Sequence, residues 1–325
     1  MKLTIAFQLT PHLLASRSAD TLGYLLSKGE SVWQSLSLEE HIAHVFGVQP
    51  QMDYPLAAMA ACEDGVEVAQ AYWLRADPVH LLMQRDSFSL TDPVPLPMTK
   101  VQAQTLLSDL NAHFQAQQMT FVQGHSGRWY LRLPSAPNIK TTFPEVAVGQ
   151  SALHYMPEGA AASQWRSHLN EIQMLLYTHP VNVERELSGL PVVNSLWLSG
   201  GGVMVERAHG PTDVSLCLAN DPVYRGLARW QGVSVADVPY DMAELLSRYG
   251  SDDHVWVHAL PEFLTEGAGC QALLGALTAN QIQQLVIHVG CYDRTLTAQL
   301  SRWSLLKFWR RAQSLSDVLQ VKESR

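Results

Sequence analysis

The chain has 325 residues, of which 47% are hydrophobic and 16% charged, and its formal net charge is −8. That length predicts two domains, or one core with a large insertion, and that apolar content excludes a disordered chain. Acidity disfavours a nucleic-acid partner unless a local basic patch reverses the field.

Four cysteines, Cys62, Cys217, Cys270 and Cys291, form no Cys-x-x-Cys pair, which argues against a zinc ribbon or a disulfide framework. The opening MKLTIAFQLTP has one lysine and a short apolar run broken by Gln8, Thr10 and Pro11. It lacks the longer apolar stretch of a secretory signal, and no run of about 18 apolar residues suits a membrane span. A cytoplasmic protein with no membrane partner is the expectation.

In chain order, residues 3–9 predict a buried strand, followed by helices over ADTLGYLLSKGE and LSLEEHIAHVFG. Strand patterns at 66–75 and 79–83 precede a proline-rich loop, a helix over about 100–115 and an alternating strand at 128–133. Beyond a loop with prolines at 134, 137, 144 and 157, helix (165–177), strand (193–198) and strand (214–218) patterns follow. Helices are then expected at 222–230, 240–249, 270–280 and 301–311, with strands at 254–260 and 283–289. Such alternation predicts an α/β fold, a mostly parallel sheet flanked by helices. The domains expected are a core of 1–64 and 141–325 and an inserted smaller α+β cap of 65–140.

The triplet Gly200, Gly201 and Gly202 follows the 193–198 strand, without Gly-x-Gly-x-x-Gly spacing or a P-loop lysine. Turning or close packing is the favoured reading over a phosphate cradle. In EEHIAH, His41 and His44 share a helical turn but lack the His-Glu-x-x-His order, so a solvated helix face is favoured. DDHVWVHA puts His254, Trp256 and His258 on one side of a strand, where catalytic and core readings stand equal. SRWSLLKFWRR interleaves three aromatic rings with four cations. A helix that docks its rings on the sheet and turns its cations outward is favoured over a nucleic-acid-binding one. No serine stands in a Gly-x-Ser-x-Gly elbow, and no cysteine has a neighbouring histidine.

The run LLYTHPVNVERELSGLPVVNSLWLSGGG at 175–202 resembles the archaeal-type cofactor-independent phosphoglycerate mutases of the alkaline phosphatase superfamily. DVSLCLANDPVYRGLARWQGVSVADVP is similar to the family's next strand–helix–strand, and AYWLRADPVHL, TKVQAQTLLSDLNAHF and RWYLRL resemble its inserted cap. The whole also resembles proteobacterial RpfE-type regulatory proteins. The resemblance implies an alkaline-phosphatase-like core, two manganese or zinc ions held by Asp and His, and a phosphoserine intermediate. Departures stand at the positions that matter. IAFQLTP has Gln8 where the family has an Asp-Gly, and VWVHALPEFLTEGAGC keeps His258 with only Glu262 and Glu266 after it. VIHVGCYDRT offers Asp293 with no adjacent His, and TTFPEV lacks the hinge His-Asp.

A two-metal site needs several carboxylates to offset about four positive charges. The reading is therefore a catalytically degenerate mutase-like protein, regulatory or scaffolding, with no metal or other cofactor. The alternatives are an active mutase or phosphatase with a rearranged site holding manganese or zinc, and a nucleic-acid-associated protein using 301–311. Its partner would be a protein or a small phosphorylated ligand. The catalytic candidates are His258 and Asp293. An anion site would draw on Arg75, Arg128, Arg185, Asn194 and the backbone of Gly200, Gly201 and Gly202.

Overall fold

A computed structural model describes residues 1–14, 16, 18–83, 87–207, 213–265 and 268–319. Its strands, in chain order, begin with β1 (Lys2–Gln8), β2 (Glu30–Gln34), β3 (Tyr72–Val79), β4 (Leu81–Met83) and β5 (Phe88–Leu90). Next come β6 (Thr120–Gln123), β7 (Trp129–Leu133), β8 (Ser195–Val203), β9 (Leu216–Leu218) and β10 (Ser234–Ala236). The series closes with β11 (His254–His258), β12 (Gln284–Cys291) and β13 (Arg294–Leu300).

The chain divides into two compact units, residues 1–47 with 208–325, and residues 48–207. The first unit holds a seven-stranded sheet of order β10-β9-β11-β1-β12-β13-β2. Strands β10 through β12 run parallel, whereas β13 and β2 continue the sheet antiparallel. This is an α/β fold with a parallel-rich sheet flanked by helices. Alternation sorts the strand side chains onto two faces. Leu3, Ile5 and Phe7 enter one core with Leu22, Leu25 and Leu26 of helix Ser18–Lys28 and Leu273 and Leu277 of helix Gly269–Thr278. On the opposite face lie Thr4, Trp256 and His288, with Phe46 edge-on to Trp256 at 5.0 Å. Helix Leu38–Val45 starts on this face because Ser37 and Glu40 form a capping box that satisfies its first amides.

The second unit is built on the antiparallel sheet β6-β7-β3-β8. Helix Lys100–His113 and helix Ala162–Tyr177 share one apolar core with it, in which Leu106, Leu110 and Phe114 meet Trp165, Leu169 and Leu176. Residues 141–207 therefore belong with the insertion, and not with the parallel sheet as the helix–strand alternation had suggested. The unit spans 48–207 where the sequence pattern gave 65–140.

The strand expected at 193–198 is longer and differently placed. β8 runs through Gly202 to Val203 and pairs antiparallel with β3. Trp73 faces Gly202 while Arg75 faces Ser199, so Gly200 and Gly201 oppose Leu74 alone, a β-bulge with Gly200 at φ 66°. The helix expected over 301–311 is short, ending at Leu305.

Candidate functional site

In a parallel sheet, ligands are held beyond the carboxyl ends of the strands. In the first unit those ends bring Gln8, Asn220, His258 and Cys291 to one edge. Gln8 lies over Gly290, where a Cβ would stand 2.1 Å from its Oε1, and that oxygen is buried without a hydrogen-bond partner. Asn220 accepts the Val238 N–H through Oδ1 at 3.1 Å. Asp221 caps helix Pro222–Trp230 by accepting the Val223 N–H at 2.8 Å, and Asp237 receives Arg225 at 2.8 Å. His258 is stacked flat on Tyr224, ring centroids 3.4 Å apart, and the Tyr224 hydroxyl donates to buried Glu39 at 3.0 Å.

The two catalytic candidates are not brought together. His258 ends β11, whereas exposed Asp293 sits in the β12–β13 hairpin, with β1 between the two strands. Glu262 opens the short helix Glu262–Thr265, and Glu266 lies outside the described residues. Among the described residues no group of three or more His, Cys, Asp or Glu side chains could hold a metal ion. Among the described residues, the donors at this edge do not fit a two-metal centre. Amides stand where charge is needed, and the Asp221 carboxylate is spent on a helix cap. Burial pushes the Cys217, Cys270 and Cys291 thiols up to about 12, so none supplies a thiolate near neutral pH.

Beneath this edge lies a histidine pair that the sequence pattern did not reveal. His41 is buried, in contrast to the solvated face expected of EEHIAH, and only His44 is exposed. His41 Nε2 lies 3.0 Å from His288 Nδ1, and Thr297 Oγ1 stands 3.2 and 2.9 Å from those nitrogens. Burial lowers His41 to about 4 and His288 to about 3, each reinforced by a neighbouring histidine. Both rings are neutral at physiological pH. Leu38, His41 and Ile42 share the buried helix face, which was the available signal. His254 sits at the other end of β11, 3.3 Å from Asp213, away from His258.

The expected anion-binding residues lie in the second unit, and their polar groups are engaged internally. Arg75, 1% exposed, donates to Asp77 Oδ2 from Nε at 3.0 Å and Nη2 at 2.7 Å, with Glu145 at 3.5 Å. Arg128 donates to the other Asp77 oxygen at 3.2 Å. Two guanidiniums thus face two carboxylates, leaving no surplus positive charge. Arg185 is apart from them, donating to the carbonyls of Pro191 and Pro97 and to Gln102. Asn194 pairs with both backbone groups of Leu81, as a neighbouring strand would. The glycines are close-packing residues. A Cβ would stand 2.4 Å from the Tyr72 hydroxyl at Gly201 and 2.5 Å from Pro55 at Gly202. The Gly201 amide donates to Asp53, a carboxylate of the chain itself, at 3.4 Å.

Comparison with known proteins adds distant kinship. No family model matches the chain. It is 22% identical over 227 residues to a 2,3-bisphosphoglycerate-independent phosphoglycerate mutase of Methanosarcina acetivorans, covering 66% of this chain and 55% of that protein. It is 32% identical over 95 residues to the enzyme of the same name from Thermoplasma volcanium, covering 28% of this chain and 23% of the relative. The chain thus spans about half, or less, of the length of these curated relatives. Among solved structures it is similar to a cofactor-independent phosphoglycerate mutase from Thermoplasma acidophilum, at 16% identity and a TM-score of 0.42, covering 100% of this chain and 95% of the other. Its relatives are phosphoglycerate-mutase-like at low identity. Among the described residues no helix is long and apolar enough to cross a membrane.

Proposed function

We infer that the chain is a phosphoglycerate-mutase-like protein without two-metal chemistry, serving a regulatory or scaffolding role of the RpfE type. One observation carries this reading: neutral Gln8 stands at the carboxyl end of β1, packed over Gly290, and among the described residues no group of three or more His, Cys, Asp or Glu could hold a metal ion. Phosphoryl transfer depends almost wholly on positioning and on stabilising charge. A strand edge of amides, a capping aspartate and a ring-stacked histidine supplies neither.

The same features favour a protein surface over a reaction centre. Asp221 and Asn220, at the same edge, are satisfied by their own fold. Titration with manganese or zinc, followed by elemental analysis after gel filtration, tests the reading. We expect no stoichiometric metal to be retained. Retention of about two ions per chain, the number a two-metal site holds, would overturn it.

A further inference from the structure

The aromatic–basic stretch near the chain's end is arranged opposite to the expected docking helix. Two of its four cations are tied to the body: Lys307 pairs with Glu30 at 2.9 Å, and Arg310 Nη1 donates to the carbonyls of Lys28 and Gly29. Buried Lys28 in turn donates to the carbonyls of Lys307 and Arg310 at 3.0 and 2.6 Å. The segment is thereby stapled to the body while its apolar side chains face water. Trp303 is 61% exposed, Leu306 64%, Phe308 87% and Trp309 66%. Phe308 and Trp309 meet edge to face at 5.1 Å, and the Arg302 guanidinium lies 4.4 Å over Trp303.

Four large apolar side chains within seven residues, held outward by a tied backbone, are costly in water unless something covers them. Residues 302–311 carry four basic side chains and no acidic one, in a chain of net charge −8. With Lys307 and Arg310 engaged, exposed Arg302 and Arg311 remain to meet a partner, and a covering surface that carries negative charge complements them. A second copy joined through the same patch would set these cations against themselves, because an isologous contact pairs a surface with itself. A nucleic acid would use stacking rings but gains little from the 64% exposed Leu306, which an acyl boundary covers.

We propose that residues 302–311 dock on an anionic phospholipid surface. Trp303, Leu306, Phe308 and Trp309 enter the headgroup boundary, while exposed Arg302 and Arg311 meet lipid phosphates. Amphipathic rings favour that boundary, and each basic group near an anionic leaflet adds attraction.

Co-sedimentation of the full chain with vesicles tests this, using phosphatidylcholine with about 30% phosphatidylglycerol against phosphatidylcholine alone. Binding should require the anionic lipid and weaken as salt rises. Replacing the three rings (Trp303→Ala, Phe308→Ala, Trp309→Ala) should weaken it about 100-fold or more, the worth of one to two fully buried rings. Arg302→Glu with Arg311→Glu should weaken it without lowering the melting temperature, since both side chains are exposed. Failure of the wild-type chain to bind, or unchanged binding by the ring variant, would overturn the proposal. So would a dimer, or a complex with a single-stranded oligonucleotide or an acidic protein, that depends on the same rings when vesicle binding does not.

Discussion

Acid should destabilise the first unit through His41 and His288. Both are almost fully buried, 2 and 4% exposed, and burial holds them at about 4 and about 3. In the unfolded chain each titrates near 6.5. A depressed histidine favours the fold in its neutral form, so stability is complete above about pH 6.5 and is lost as pH falls toward the folded values. At about pH 5 the unfolded chain has taken up both protons and the folded chain almost none. Each pH unit below 6.5 is worth about 1.4 kcal/mol per group, giving about 2 kcal/mol per histidine and about 4 kcal/mol for the pair. His41→Gln with His288→Gln removes both titrations and keeps polar side chains beside Thr297. Urea unfolding followed by tryptophan fluorescence, between about pH 7.5 and about pH 5, should show a shallower loss in the variant by about this amount. Equal pH slopes in the two proteins would refute the reasoning. The pair would then be solvated or protonated in the native state.

Gly201→Ala should cost about 2 kcal/mol or more, measured as a lower urea midpoint, because its Cβ would meet the Tyr72 hydroxyl at 2.4 Å and Leu74 at 2.8 Å. Asp77→Ala should cost about 3–5 kcal/mol by the same measurement, since it leaves buried Arg75 and neighbouring Arg128 without their shared carboxylate. Inorganic phosphate at millimolar concentration should leave the melting temperature unchanged, because Arg75, Arg128 and Arg185 are engaged internally. A rise that Arg128→Ala abolishes would show that an anion competes with Asp77.

Much of the first unit could be read from the sequence because parallel strands buried on both faces are apolar runs, as in LTIAF and VWV. The antiparallel edge was harder. RTLTAQL alternates as a strand should, but its hairpin turns on Tyr292 and Asp293, with Tyr292 at φ 57° and no glycine to mark it. The strand expected at 193–198 corresponds to β8 but lies in the other unit, because a helix before a strand reads alike in either unit and only pairing with β3 distinguishes them. At the candidate site, the neutral Gln8 at the end of the first strand pattern is legible in the sequence. Partnership was not. Arg128 on Asp77, His41 beside His288 and His258 beneath Tyr224 all join residues far apart in the chain. The exposure of Trp303, Phe308 and Trp309 is not legible in the sequence, because composition reports rings and cations without saying which face the backbone presents.

Turnover decides the central claim most directly. Interconversion of 2- and 3-phosphoglycerate, followed by a coupled assay with added manganese, should not exceed the protein-free rate at any enzyme concentration. Turnover that scales with protein and is abolished by His258→Ala would contradict the account, and would mean that the carboxyl edge of the sheet still assembles a working centre.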